Sequence, residues 1–142
     1  MSSQEWPVFV SSGTRTGKLA VTRRDGRPHV SPVWFLLDDP LQPRHVLFTT
    51  WWDSVKARAL GRDPRFALCV DDEAPPYGYV QLSGTARLST DRVELLHWAT
   101  LLGERYMGSA RAETYGRRNS AEGEFLVWGR IEKVVAVTGI AD

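Results

Sequence analysis

Gly17-Lys18-Leu19-Ala20-Val21-Thr22-Arg23-Arg24-Asp25-Gly26-Arg27-Pro28-His29-Val30-Ser31-Pro32-Val33-Trp34-Phe35-Leu36-Leu37 is the stretch whose reading decides the fold. Residues 17–23 read as a strand. Asp25-Gly26 between apolar runs is the strongest short-range hairpin signal, because glycine accepts the positive φ that a tight turn demands. The return strand is expected from His29 to Leu37, where Asp38-Asp39-Pro40 and Pro43 mark a loop. Pro32 lies inside it and has no N–H to donate to a ladder, so this segment belongs at an edge or a bulge. The chain is therefore β-rich.

Working outward, a third strand is expected over His45–Thr50 and a short helix over Ser54–Arg62, with Asp53 as its N-cap and Asp63-Pro64 as its stop. A fourth strand, Arg65–Asp71, leads into the stiff loop Glu73–Pro76. A fifth, Tyr77–Leu88, carries Gly84, a candidate bulge. Thr90 or Asp91 would cap a helix whose Leu95, Trp98, Ala99, Leu102 and Tyr106 recur at helical spacing. A second helical piece, Ala110–Asn119, precedes a last strand, Glu124–Thr138. Six strands, mostly antiparallel hairpin neighbours, predict a mainly β fold: a six-stranded antiparallel Greek-key barrel with flanking helices. Closure into a barrel removes the open edges that such a meander leaves.

The 142 residues fit a single domain, 1–142. The hydrophobic share of 42% and charged share of 25% are those of an ordinary globular chain. A net charge of +1 offers no basic footprint for nucleic acid and no polybasic arm for a membrane. No apolar stretch is long enough to span a bilayer, and Met1-Ser2-Ser3-Gln4-Glu5 is no signal peptide, so a cytoplasmic protein is expected. The single cysteine, Cys69, sits in the apolar run Phe66–Val70 and reads as a buried, inert thiol.

Side-chain catalysis finds little support. His29, His45 and His97 are too scattered for a metal site. There is no nucleophile elbow, no GxGxxG after a strand and no phosphate-binding P-loop. No side chain is assigned a catalytic role. If the protein is an enzyme, a cofactor carries the chemistry.

Phe48-Thr49-Thr50-Trp51-Trp52-Asp53-Ser54-Val55-Lys56-Ala57-Arg58 is the informative run: strand end, turn, helix start. Free N–H groups and a positive partial charge make a helix N-terminus a ready phosphate site. A cation in that first turn is unfavourable unless an anion lies nearby. Lys56 is one of only three lysines in the chain. Helical spacing places it in an arc with Val55, Ala59 and Leu60, where an unpaired ammonium is costly. A bound phosphate would resolve both problems. So would a lysine that reaches outward along its stem or pairs with a carboxylate. In Ser31-Pro32-Val33-Trp34-Phe35 both strand faces are apolar. An open backbone edge there suits a flat tricyclic ring, although core packing accounts for the aromatics equally well.

These runs, together with Arg62-Asp63-Pro64-Arg65 and Ala67–Glu73, resemble the split-barrel flavin and deazaflavin oxidoreductases related to pyridoxamine 5′-phosphate oxidase. The resemblance covers roughly residues 13–137 and is strongest to the branch that uses coenzyme F420. It implies a split barrel, a homodimer and two cofactor grooves at the subunit interface. By position, Lys56 and Ser54 would take the phosphate, with Val55 and Arg58 beside them. Pro32, Val33, Trp34, Thr49 and Thr50 would line the deazaflavin ring, and the loop Pro75-Pro76-Tyr77 would approach from the partner subunit. Ala59 replaces an asparagine common in the family, and Trp51-Trp52 is bulkier than usual. The segment before Gly13 looks too short for the family's leading helix. The expected activity is hydride transfer from reduced F420 to a small conjugated acceptor. The alternatives are an FMN enzyme on the same fold, or a non-enzymatic protein that sequesters F420, FMN or haem.

Overall fold

Residues 1–142 are described by a computed structural model, whose strands are β1 (Gly17–Thr22), β2 (Pro28–Val33), β3 (Leu36–Leu37), β4 (His45–Trp51), β5 (Arg65–Asp72), β6 (Gly78–Ser89) and β7 (Glu124–Thr138). They form one seven-stranded antiparallel sheet in the order β2-β1-β5-β6-β7-β4-β3. The strand expected over His29–Leu37 is thus two strands, and the count is seven rather than six. The reason is visible in the order. β2 and β3 are the two edges of the sheet, yet only Trp34 and Phe35 separate them in sequence. The chain leaves one edge and joins the other, so the sheet must curl until its edges approach. That curl makes the barrel, and it explains how Pro32 is tolerated, since β2 pairs on one side only.

Two long strands, β6 and β7, form the spine. β5 lies against Gly78–Thr85 of β6, whereas β4 lies against Glu124–Arg130 of β7. The change-over falls at a bulge between Ser83 and Gly84, where Glu132 is the extra residue. A side chain at Gly84 would run into the Arg130 carbonyl, so only glycine lets the backbones approach there. The bulge expected at Gly84 is present.

Four α-helices plug and flank the barrel: α1 (Glu5–Ser11), α2 (Val55–Arg62), α3 (Arg92–Met107) and α4 (Ala112–Arg118). Helix α1 corrects the expectation that the N-terminal segment is too short. Pro7 lies in its first turn, where no N–H is needed, and Trp6 and Val10 one turn apart enter the core. The cap of α2 is Ser54 rather than Asp53: its extended backbone brings Oγ to the Ala57 N–H at 3.1 Å. Asp53 instead pairs with Arg58. Asp91 caps α3, accepting from Val93 and Glu94 N–H at 3.0 Å each.

Alternating residues of the strands fill the barrel, among them Leu19, Val21, Val46, Phe48, Phe66, Leu68, Val80, Leu82 and Val127. Leu47 and Leu126 face the other way and pack with Leu95 of α3. Both faces of β4 are therefore covered, which accounts for its unbroken Val46-Leu47-Phe48 run. No helix is long and apolar enough to cross a membrane.

The Trp34–Phe35 crossover is tied down by α3. Arg105 donates to three backbone carbonyls: Gly13 at 3.0 Å, Phe35 at 2.7 Å and Val10 at 2.8 Å. Its guanidinium also lies over the Phe35 and Tyr106 rings, at 4.7 and 4.9 Å. The Tyr106 hydroxyl accepts from the Phe35 N–H at 3.2 Å and donates to the Arg15 carbonyl at 2.8 Å. Trp34 stacks on the Tyr106 ring, 5.1 Å between centroids and 5° from parallel.

Gly84→Ala is expected to lower stability by about 2–3 kcal/mol, since an added methyl meets backbone that cannot retreat. Gly61→Ala, in α2 with open space around it, raises stability by about 0.5–1 kcal/mol. Urea midpoints of the two variants check both signs.

Candidate functional site

The crossover, the end of β4 and the start of α2 meet around a cleft of about 540 Å³. Pro32, Val33 and Trp34 wall one side. Thr49, Thr50 and Trp51 come from β4, and Ser54 and Lys56 from the start of α2. Seven of the residues singled out in the sequence therefore share one cavity: Pro32, Val33, Trp34, Thr49, Thr50, Ser54 and Lys56.

Local hydrogen bonding fixes the α2 end. Thr50 Oγ1 and Ser54 Oγ lie 2.7 Å apart, and Ser54 Oγ also accepts from Ala57 N–H. One hydroxyl of this pair must donate to the other, which leaves one hydroxyl proton free for a ligand. The Val55 and Lys56 N–H groups, in the first turn, have no acceptor within the helix. Lys56 itself is half-buried and lies within 4 Å of no carboxylate. The other lysines differ: Lys18 is paired with Asp71 at 2.8 Å, and Lys133 is exposed. The pairing of Lys56 with a carboxylate, left open by the sequence, is thus absent. The buried face of α2 is Ala57, Ala59 and Leu60, and Val55 is 44% exposed rather than packed.

Val55 and Arg58 face a neighbouring groove of about 620 Å³, lined otherwise by Arg23, Arg24 and Arg62. Arg23 and Arg24 belong to the β1–β2 turn, so two distant segments bring four arginines to one place. Only Arg58 has a carboxylate partner. His29 feels Arg23 and Lys56 together: burial first, then these two cations, push its pKa down. Pro76 and Tyr77 lie outside both cleft and groove, with Tyr77 at φ 63° and 44% exposed.

Leu102, Arg118, Asn119 and Glu124 also line the cleft, and Trp51 joins them; none was singled out as a site residue from the sequence. Glu124 comes with β7 opposite Trp51 and Leu102 lies on α3, whereas Arg118 and Asn119 arrive because α4 folds back on α3. Gly116 permits that approach, since a side chain there would collide with Thr100. A glycine inside a short helix was the available signal. Burial pushes the Glu124 carboxyl up, while Arg118 and then Lys56 draw it back. No group of three or more His, Cys, Asp or Glu side chains is placed to hold a metal. Chemically, the cleft offers an apolar wall, a hydroxyl, free N–H groups and an uncompensated ammonium: a place for a flat ring bearing an anion.

The family described as pyridoxamine 5′-phosphate oxidase matches residues 9–137. Among solved structures, a conserved hypothetical protein from Mycobacterium tuberculosis is 25% identical, with a TM-score of 0.83 over 98% of this chain and 86% of that one. An F420 reductase is 24% identical, with a TM-score of 0.73 over 90% of this chain and 94% of its own. The haem storage protein HutZ from Vibrio cholerae is 16% identical, with a TM-score of 0.74 over 100% of both chains. One fold thus carries proteins named for different ligands.

Because Lys56 has no ion pair to lose, Lys56→Met is expected to leave the urea midpoint unchanged or higher. Lys18→Met breaks the half-exposed pair with Asp71 and lowers stability by no more than about 1 kcal/mol. The reverse ranking in equilibrium unfolding would give Lys56 a structural role.

Proposed function

The chain belongs to the pyridoxamine 5′-phosphate oxidase family, and from that premise we propose a reductase that uses coenzyme F420 to deliver hydride to a small conjugated acceptor. The observation that carries this reading is the path of cations running from Lys56 in the cleft to Arg23, Arg24, Arg58 and Arg62 in the adjoining groove. FMN ends at its phosphate and would leave that groove empty. F420 continues beyond its phosphate as an anionic tail, which the groove matches in sign. Four guanidinium groups so close, three of them without a carboxylate, repel one another until an anion lies among them.

Reduced F420, when bound, supplies the hydride. The residues supply position and environment. Lys56, the free hydroxyl of the Thr50–Ser54 pair and the first-turn N–H groups of α2 hold the phosphate. Pro32, Val33 and Trp34 form the wall against which the ring lies, and Thr49 faces it from β4. Trp34 is kept in place by its stacking on Tyr106. A ring covered on one side by Pro32, Val33 and Trp34 is shielded there from water.

The active unit in this reading is a homodimer. Val30, Ala20, Ala67 and Ser83 form a row across β2, β1, β5 and β6 on the outer face of the barrel. Helices α1 and α2 send Trp6, Val10, Ala59 and Leu60 into the core instead, and α3 packs beside β4 and β7. The row is left with small side chains and with Val30, which is 63% exposed. A flat, weakly polar surface of this kind suits a second copy, which would bring its own Pro76 and Tyr77 towards the cleft.

The cofactor assignment is tested by fluorescence titration. F420 is expected to bind more tightly than FMN at low salt, with the difference shrinking as salt is added. Lys56→Ala weakens both by about 1.5–3 kcal/mol, the value of a charge-assisted hydrogen bond. Equal or tighter FMN binding, with turnover supported by FMN, would transfer the function to an FMN enzyme. Tight binding without turnover on an acceptor panel would make the protein a carrier.

Light scattering at micromolar concentration is expected to give twice the chain mass of 16.0 kDa. A species at the monomer mass would remove the partner from the site.

A further inference from the structure

We propose that Glu124 sets the charge of the phosphate that this cleft accepts, favouring a singly charged phosphodiester over a doubly charged phosphomonoester. The inference rests on the reading that a phosphate meets Lys56 in the cleft, and it names the residue that chooses among phosphates there. Glu124 is the only carboxylate that lines the cavity. As the first residue of β7 it pairs in register with Trp51, which places it at the α2 end of the cleft, where β4 hands over to the helix.

Its side chain makes no hydrogen bond and no ion pair. The two cations that act on it, Arg118 from α4 and Lys56 from α2, both stand beyond ion-pair distance. Those three are the only charged side chains in the lining. Two cations and one carboxylate leave the cavity a single positive charge. One negative charge on a ligand balances it, and a second is placed against Glu124 with nothing left to compensate it. Burial already disfavours the ionised form of Glu124, as the upward displacement of its pKa shows. A dianion alongside would deepen that penalty.

Phosphate esters divide on this point. A terminal monoester such as that of FMN has a second pKa near 6 and is mostly a dianion at pH 7.5. The phosphate of F420 is esterified on both sides and carries one charge at any physiological pH. A carboxylate beside the site therefore repels the wrong ligand more than the right one, which is how specificity is obtained from a repulsive element. Arg23, Arg24, Arg58 and Arg62 reward what lies beyond the phosphate, whereas Glu124 judges the phosphate itself. The two devices are separable.

Full-length wild-type protein, Glu124→Gln, Glu124→Asp and Lys56→Ala are titrated with F420, FMN and riboflavin at pH 7.5. Glu124→Gln is expected to tighten FMN about tenfold, the effect of one extra charge across several ångströms of partly screened cleft, F420 by about threefold or less, and riboflavin not at all. Glu124→Asp, which keeps the charge, holds the wild-type preference and shows that the result is not a folding defect. Equal tightening of FMN and F420, or loss of affinity for both in Glu124→Gln, overturns the assignment. If Lys56→Ala weakens both phosphates while Glu124→Gln changes neither, the selectivity falls and the cleft reading stands. If neither variant matters, both fall.

Discussion

Arg105 joins three separate segments of the chain. Its guanidinium holds the carbonyls of Val10 at the end of α1, Gly13 in the loop before β1, and Phe35 in the two-residue crossover. It is more than half removed from water and has no carboxylate partner; burial draws its pKa down from the usual arginine value. What offsets that cost is hydrogen bonding to carbonyls that β2, β3 and α1 leave unsatisfied, in the fork geometry that arginine alone provides. Together with the Tyr106 hydroxyl, which holds the Phe35 N–H and the Arg15 carbonyl, this clamp anchors the hinge between the two edges of the sheet. With it, Trp34 becomes a fixed wall, and the cleft inherits its shape from the same bonds that close the barrel.

The electrostatics of the molecule divide along the same line. Some surface charges are spent locally: Arg65 on Asp63, whose pKa is lowered to about 2 chiefly by that side-chain bond, Arg15 on Asp72, and Lys18 on Asp71. Five of the cations with no partner within 4 Å, Lys56, Arg118, Arg23, Arg24 and Arg62, line the cleft and its neighbouring groove. A near-neutral chain thus sets five uncompensated cations side by side. Net charge conceals this arrangement, because +1 says nothing about how eighteen cations are distributed.

Much of the architecture was legible in the residues. The Asp25-Gly26 turn, the bulge at Gly84 and the last strand, Glu124–Thr138, stand where local chemistry puts them. These are decisions made within a few residues. The split of one expected strand into β2 and β3 was not legible, because apolar alternation continues through Trp34 and Phe35 while the ladder partner changes. Ser54 took the cap from Asp53 for a similar reason: both residue types cap well, and only the turn after Trp51-Trp52 decides which reaches the Ala57 N–H. Pro32, Val33, Trp34, Thr49, Thr50, Ser54 and Lys56, which lie in two short runs of the sequence, line one cleft. Arg118 was missed because it reaches the cleft through the packing of α4 on α3, and Glu124 because it comes with β7 opposite Trp51, contacts between segments that no short window contains.

The order of strands also governs when the molecule can become itself. Along its whole length β4 pairs with β7, yet the 72 residues 52–123 separate the two, and until β7 arrives β4 has only the two residues of β3 beside it. During synthesis Val46, Leu47 and Phe48 are therefore made early and sheltered late, a wait that carries an exposed, apolar strand edge. Closure depends on the most distant pairing in the chain, the kind that makes folding slow. Since β7 also contributes Glu124, the cleft is completed by the segment that completes the barrel. A nascent chain thus has no finished pocket before its final strand is threaded into place, and ligand capture belongs to the last act of folding.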